Sequence, residues 1–167
     1  MDAERALLQH FLAAIAYRTQ KALRDAPGHY PEFSAGHQAR TPVEILRHMT
    51  SLMGYVTTLF NGGSYPMKPE PLPTFPDEIA RFHEMVQRVG DLLAAGMPLL
   101  AINHQQLLQG PLADCMTHVG QLAMLRRLAD APVPPENFIF AEIRGDRLGK
   151  DQAPPARPDR HWPERPA

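Results

Sequence analysis

Apolar residues recur at spacings of three and four in four segments of this chain, which is the pattern of amphipathic helices. The first segment runs from about Ala3 to Arg24 and the second from Thr41 to Asn61. The third runs from about Pro76 to Ala95 and the fourth from about Pro111 to Ala129. Four segments of this length predict an all-α fold, and specifically a four-helix bundle.

The boundaries of these segments differ in clarity. The second helix begins most clearly, because Thr41 is a good N-cap, Pro42 suits the first helical position and Glu44 completes a capping box. Residues 61–76 hold several prolines and no periodicity, so they predict a long crossover between the second and third helices. Residues 96–109 fit either a short helix or an irregular connection, and Gly110-Pro111 indicates the start of the fourth helix.

The helical pattern stops at Asp130. The last 38 residues contain eight prolines, at positions 132, 134, 135, 154, 155, 158, 163 and 166. We therefore predict a bundle over residues 1–130 and a Pro-rich, irregular C-terminal extension over 131–167 that packs on the bundle or is partly mobile. Within it, residues 137–148 are expected to form a short strand or an extended segment against the bundle.

Composition narrows the classes of partner and compartment. The 167 residues are 44% hydrophobic, with a formal net charge of -1, no Lys/Arg cluster and only 7% aromatics, which argues against nucleic-acid binding. The most apolar early run, Leu7 to Tyr17, is too short to span a membrane. The lone Cys115 has no internal disulfide partner, and the first residues are acidic where a signal peptide is basic, so we expect a cytoplasmic protein.

The fourth helix carries polar residues that are candidates for metal binding. At helical spacing, one line of its surface holds Asp114, His118, Leu122, Leu125 and Ala129. Because three of the five are apolar, the line is expected to face the core and to bring a carboxylate and an imidazole there. A pair at positions i and i+4 can bind one metal ion. The structural alternative is a first-turn acid that favours the helix dipole and hydrogen-bonds a core histidine.

A third metal ligand would have to come from another helix. His48 lies at the edge of the apolar stripe of the second helix, with Glu44 and Tyr55 at helical spacing from it as candidate supporting groups. His83 lies within the stripe of the third helix and competes with His48 for this position. Cys115 points about 100° away from Asp114, so we interpret it as a buried core thiol and not as a nucleophile.

Two segments resemble the signature segments of the DinB/YfiT-like family. They are Thr41-Pro-Val-Glu-Ile-Leu-Arg-His48-Met and Asp114-Cys-Met-Thr-His118-Val-Gly-Gln121-Leu, and the likeness extends over roughly residues 4–129. This resemblance implies a cytoplasmic four-helix bundle, often a homodimer, with a metal site of three histidines. His48 and His118 match two of these ligands, whereas Asp114 stands where the family has its other histidine.

The resemblance also implies a function. With His48, Asp114 and His118 as ligands, the expected cofactor is a divalent metal such as Zn, Ni, Fe or Mn. The expected activity is that of a thiol S-transferase or a small hydrolase, acting on a small-molecule substrate such as a low-molecular-weight thiol, with no nucleic acid or membrane as partner. The alternative is a non-catalytic dimeric bundle or ligand-binding protein that keeps a remnant of the metal site.

Overall fold

The computed structural model of the protein describes residues 2–156, and it is helical throughout its bundle. The helices are α1 (Ala3–Leu23), α2 (Pro42–Asn61), α3 (Phe75–Ala94), α4 (His104–Leu107) and α5 (Ala113–Leu128), with a π-helical segment (Leu108–Leu112) that joins α4 to α5. The last two helices thus form one bent unit, and the predicted all-α bundle is confirmed. Among these residues, no helix is both long and apolar enough to cross a membrane.

The helices α2 and α3 run parallel to each other. Arg47, near the start of α2, donates to Glu78, near the start of α3. At the other end, the Leu59 carbonyl of α2 accepts a hydrogen bond from Leu100, just beyond α3. A parallel pair requires the connection to return along the length of the bundle, so the predicted crossover is present over residues 62–74, none of which is helical.

The helices α1 and α5 also run parallel to each other. Glu4, at the start of α1, pairs with His104 at the start of α4, and Arg126 near the end of α5 donates to the carbonyl of Ala22 near the end of α1. The first turn of α1 lies beside Gly96, past the end of α3, so these two helices run in opposite directions. The order is up, down, down, up, and it places α5 against both α1 and α2.

The helix boundaries test the predicted starts. The capping box of Thr41 and Glu44 is present at the start of α2, as predicted. Asn103 and Gln106 form a second capping box and open the short helix α4 at His104, which is the first of the two alternatives predicted for residues 96–109. Gly110 has non-helical backbone angles (φ -89°, ψ -107°), so the chain kinks there. Pro111 follows directly after the kink, in agreement with the helix boundary predicted at Gly110-Pro111.

The described part of the extension lies along the bundle. Its main apolar anchor is Leu148, which is buried in the core. The Gln9 side chain donates to the Gly145 carbonyl, and Arg24 donates to the Gln152 carbonyl. Residues 137–148 form no strand, so that alternative is wrong. They hold a 3₁₀ turn (Phe138–Phe140), a second turn closed by a hydrogen bond from the Arg147 N–H to the Arg144 carbonyl, and irregular backbone between them. Residues 157–167 of the predicted extension lie outside the described residues.

His83 of α3 joins this extension to the bundle. The imidazole is buried, and its Nδ1 lies 2.9 Å from the Leu148 carbonyl oxygen, to which it donates. Burial lowers the pKa of His83, and the Leu148 carbonyl and the Asp151 carboxylate oppose that shift without reversing it. The imidazole is therefore neutral in the folded protein at neutral pH.

We expect this histidine to make the protein less stable in mild acid. The pKa of His83 is lower in the folded than in the unfolded state. Its contribution to the free energy of unfolding is therefore complete above the ordinary histidine pKa and declines as the pH falls below that value. For one proton, the free energy of unfolding falls by at most about 1.4 kcal/mol per pH unit. Urea unfolding between pH 7.5 and 5.5 should show a shallower decline in His83→Asn, which keeps a donor near the Nδ1 position. Equal declines in both proteins would contradict the prediction.

Candidate metal centre

The three predicted ligands meet between α2 and α5. His48 Nε2 lies 3.9 Å from Asp114 Oδ2, and His118 Nε2 lies 3.4 Å from Asp114 Oδ1. The two imidazole rings are nearly perpendicular, with centroids 4.7 Å apart. One donor atom from each residue falls in a group whose members all lie within 4.8 Å of one another.

Helical geometry and packing explain this convergence. Asp114 and His118 are one turn apart and share a face of α5, and the next residues on that face, Leu122 and Leu125, are buried in the core. The face is therefore held against the bundle, and α2 lies opposite it. The exposed fraction of the side chain rises from 9% for His118 through 29% for His48 to 49% for Asp114. The cluster is thus closed at the His118 side and open to solvent at the Asp114 side.

Gln121 orients the most buried of these side chains. His118 Nδ1 lies 2.8 Å from Gln121 Oε1, so the Nδ1–H donates to the amide oxygen. This bond leaves the lone pair on Nε2, the atom that faces Asp114. A hydrogen bond to the nitrogen that does not face the metal fixes the tautomer and the ring orientation of a metal-binding histidine. The i, i+3 spacing of the two residues is the sequence signal for this contact.

His48 is in the form that binds metals. Burial lowers its pKa, the nearby Arg40 and His118 side chains lower it further, and the Asp114 carboxylate acts in the opposite direction. The net shift is downward, so the imidazole is largely neutral at pH 7. A neutral imidazole offers a lone pair to a cation, whereas a protonated one does not.

The spacing of the donor atoms fits one divalent ion. Nitrogen and oxygen ligands bind such ions at about 2.1 Å, so two of them can be at most about 4.2 Å apart. The two histidines lie within this limit of different oxygens of the Asp114 carboxylate, at 3.9 Å for His48 and 3.4 Å for His118. With one donor atom taken from each residue, no pair of donors exceeds the limit by more than about 0.6 Å, which small side-chain rotations remove. Two imidazoles and a carboxylate suit Zn, Ni, Fe or Mn.

A cleft of about 640 Å³ opens beside the cluster, and among the three candidate ligands it is lined by His48 alone. The other walls come from the start of α2 and from the crossover, and they carry five charged side chains: Arg40, Glu44, Arg47, Lys68 and Glu70. The sequence pattern does not predict this cleft, because its two walls, the start of α2 and the crossover, meet only when the crossover folds back along α2.

The other residues considered from the sequence lie elsewhere or have other contacts. His83 is bound to Leu148 and is not part of the group of donor atoms, so His48 is the histidine that faces Asp114 and His118. The Glu44 carboxylate accepts a hydrogen bond from Thr41 in the capping box. About half of Tyr55 is exposed to solvent. The supporting roles predicted for these two residues are therefore not backed by a contact with a candidate ligand. Cys115 is fully buried, as predicted, and burial raises the pKa of its thiol.

Comparison of the chain with known families, curated proteins and solved structures returned no match. The likeness to the DinB/YfiT-like family therefore rests on the two motifs that contain His48 and His118. The geometry of the cluster is an independent observation, because it follows from the packing of α2 against α5 and does not depend on any relative.

Proposed function

We propose that this protein is a metal-dependent enzyme of the DinB-like family that acts on a small molecule. In this proposal a divalent metal is held by His48, Asp114 and His118. The observation that carries it is the convergence of three donor atoms from two helices, with the innermost histidine oriented by Gln121. An ordinary buried histidine needs one hydrogen-bond partner, whereas this arrangement aims three side chains at one point.

The residues of the site have separate roles in the proposed chemistry. A bound divalent metal would lower the pKa of a thiol or water and polarise an electrophile. His118 and Asp114 form the buried and the exposed side of its binding site, and His48 borders the cleft where a substrate would lie. The supported reaction classes are transfer to or from a low-molecular-weight thiol and hydrolysis of a small ester or amide.

The charges in the cleft favour a substrate that carries a negative group. Within residues 2–156, Arg40 and Lys68 have no hydrogen bond or ion pair, so both are free to bind an anion. Arg47 is already paired with Glu78, and the Glu44 carboxylate caps α2. A thiol or ester with a carboxylate would thus place its charge near Arg40 or Lys68 and its reacting group near His48.

A second candidate is a non-catalytic dimeric bundle with a remnant of the metal site. It is favoured by one observation: Asp114, which stands where the family has a histidine, is half exposed and can pair with either imidazole without an ion. This candidate predicts that loss of the cluster changes stability and leaves no activity to lose. It also shares with the first the expectation of a homodimer, which sedimentation velocity would measure.

Two substitutions of Asp114 test the proposal. Protein purified without chelator, or reconstituted with Zn, Ni, Mn or Fe(II), should contain about one metal per chain by mass spectrometry. It should also show metal-dependent thiol transfer or ester hydrolysis. Asp114→Ala should lower metal affinity and activity by at least about tenfold, because a donor is lost. Asp114→His restores a three-histidine set and should keep the metal.

The outcomes separate the two candidates. A wild-type protein that binds none of the four metals would overturn the enzyme proposal. A protein that binds metal and is inactive with both substrate types would favour the non-catalytic bundle. Equal metal content in wild type, Asp114→Ala and Asp114→His would show that the metal is bound elsewhere.

A further inference from the structure

A second cleft lies between α1, α5 and the extension, away from the candidate metal centre. Its volume is about 560 Å³. Met116 and Ala123 belong to its wall, and they project about 160–180° round the axis of α5 from Asp114. The cleft and the metal centre therefore use opposite faces of one helix. A ligand in this cleft would not touch His48, Asp114 or His118.

The wall of the cleft combines apolar side chains with an opening in the helix surface. The apolar residues include Met116, Val119 and Ala123 of α5 and Val133 and Phe138 of the extension. Gly120 lies among them, and a Cβ added at this glycine would meet no atom within 4 Å. Pockets of this volume with mostly apolar walls are of the size that binds small molecules.

The same cleft has a surplus of positive charge. Three cationic side chains, Arg18, Lys21 and Arg127, line it together with one carboxylate, Glu136, which leaves a formal surplus of two positive charges. Glu136 is engaged, since its carboxylate accepts from the Tyr17 hydroxyl at 2.6 Å and pairs with Lys21 at 2.9 Å. The unmatched charges are therefore those of Arg18 and Arg127.

Arg18 is the cation best placed to receive a ligand. Its guanidinium lies over the Phe138 ring, 3.8 Å from the centroid, and within the described residues it has no hydrogen bond or ion pair. Stacking uses the face of the guanidinium and leaves the N–H groups at its edge free to bind an anion. Burial also lowers the pKa of Arg18, which indicates that part of its hydration has been lost, and the Glu136 carboxylate opposes this shift without reversing it.

We propose that this cleft binds a small amphipathic anion, with an apolar body against Met116, Val119 and Ala123 and a carboxylate on Arg18. Charge complementarity supports this occupant, because the apolar floor and the unmatched cations lie in one cleft. A second copy of the chain fits less well. A two-fold interface here would place the same Arg18 and Arg127 charges of both copies close together.

Decanoate is the probe for this proposal, and its uncharged analogue decanol is the matched comparison. Isothermal titration calorimetry of the full chain should show decanoate binding that is at least about tenfold tighter than decanol binding. Arg18→Met keeps an apolar side chain and removes the charge, so decanoate binding should weaken about tenfold while decanol binding changes little. Gly120→Leu fills the cleft and should weaken both ligands. Arg88→Met, an exposed arginine on α3, is the control and should match wild type.

The variants keep the proposal falsifiable if one of them folds poorly. Gly120→Leu replaces a helical glycine with a better helix former, so its fold is expected to be retained, which circular dichroism checks. Equal affinity for decanoate and decanol, or equal decanoate affinity in wild type, Arg18→Met and Gly120→Leu, would overturn the proposal. A change of oligomeric state in Gly120→Leu with unchanged decanoate binding would instead assign the cleft to a second copy of the chain, and would also overturn it.

Discussion

Replacing His118 with alanine is expected to abolish metal binding at the proposed centre. His118 supplies the most buried donor atom of the cluster, and its orientation is fixed by Gln121. Loss of a group that hydrogen-bonds a metal ligand already costs about 10- to 100-fold in metal affinity, so loss of the ligand itself should cost at least about 100-fold. Dialysis against a buffered series of free Zn concentrations, followed by metal analysis, measures the change. His48→Ala should also lower the metal affinity.

The exposed histidine His10 on α1 provides the matched control. It belongs to no donor group in the described residues, and His10→Ala should retain the wild-type affinity. Urea unfolding of the metal-free proteins shows whether His118→Ala still folds. A folded His118→Ala protein with wild-type metal affinity would exclude the proposed centre. In that case the two Asp114 variants should also keep the wild-type metal affinity.

Replacing Glu78 with alanine is expected to cause the largest loss of stability outside the hydrophobic core. This carboxylate is fully buried at the start of α3. It accepts from Arg47 Nε at 2.6 Å, from Arg81 and from the backbone N–H of Leu72 at 2.9 Å. Removal leaves two guanidinium groups without their anion, for which a loss of about 3 kcal/mol in the free energy of unfolding is expected. Urea denaturation at pH 7 measures it.

The control for this substitution lies on the same helix. Glu84 is exposed and has no partner among residues 2–156, so Glu84→Ala should change the free energy of unfolding by no more than about 0.5 kcal/mol. Similar losses in both variants would contradict the assigned role of Glu78. The effect also has a consequence for the site. Because Glu78 joins Leu72 of the crossover to Arg47 beside His48, we expect Glu78→Ala to loosen the cleft next to the candidate metal centre.

Which histidine completes the candidate site could not be decided from periodicity. His48 lies at the edge of an apolar stripe and His83 within one, so His83 is the more central residue by pattern alone. The structure places α2 beside α5, which brings His48 to Asp114, whereas His83 meets the extension and donates to Leu148. Helical spacing sets the face of a helix on which a residue lies, and it carries no information on which helix lies opposite.

The residues before the fourth helix show a second limit of local pattern. Residues 96–109 show no clear period, so their sequence does not choose between a short helix and an irregular connection. In the structure they include the short helix α4, and the chain then kinks at Gly110, directly before Pro111. Leu107 and Leu112, on either side of this kink, are both buried in the core, and local pattern does not predict that packing.

By itself the sequence determined the features that depend on neighbours along the chain. These include the four helical segments, the capping box that opens α2, the proline-rich extension, and the placement of Asp114 and His118 on one face of α5. Such features follow from the 3.6-residue period and from turn chemistry, both of which act within a few residues. Only the tertiary structure decided the parallel pairing of α2 with α3, the choice of His48 over His83, and the two clefts. Each of these joins residues far apart in the chain, and their contacts form only when whole helices pack.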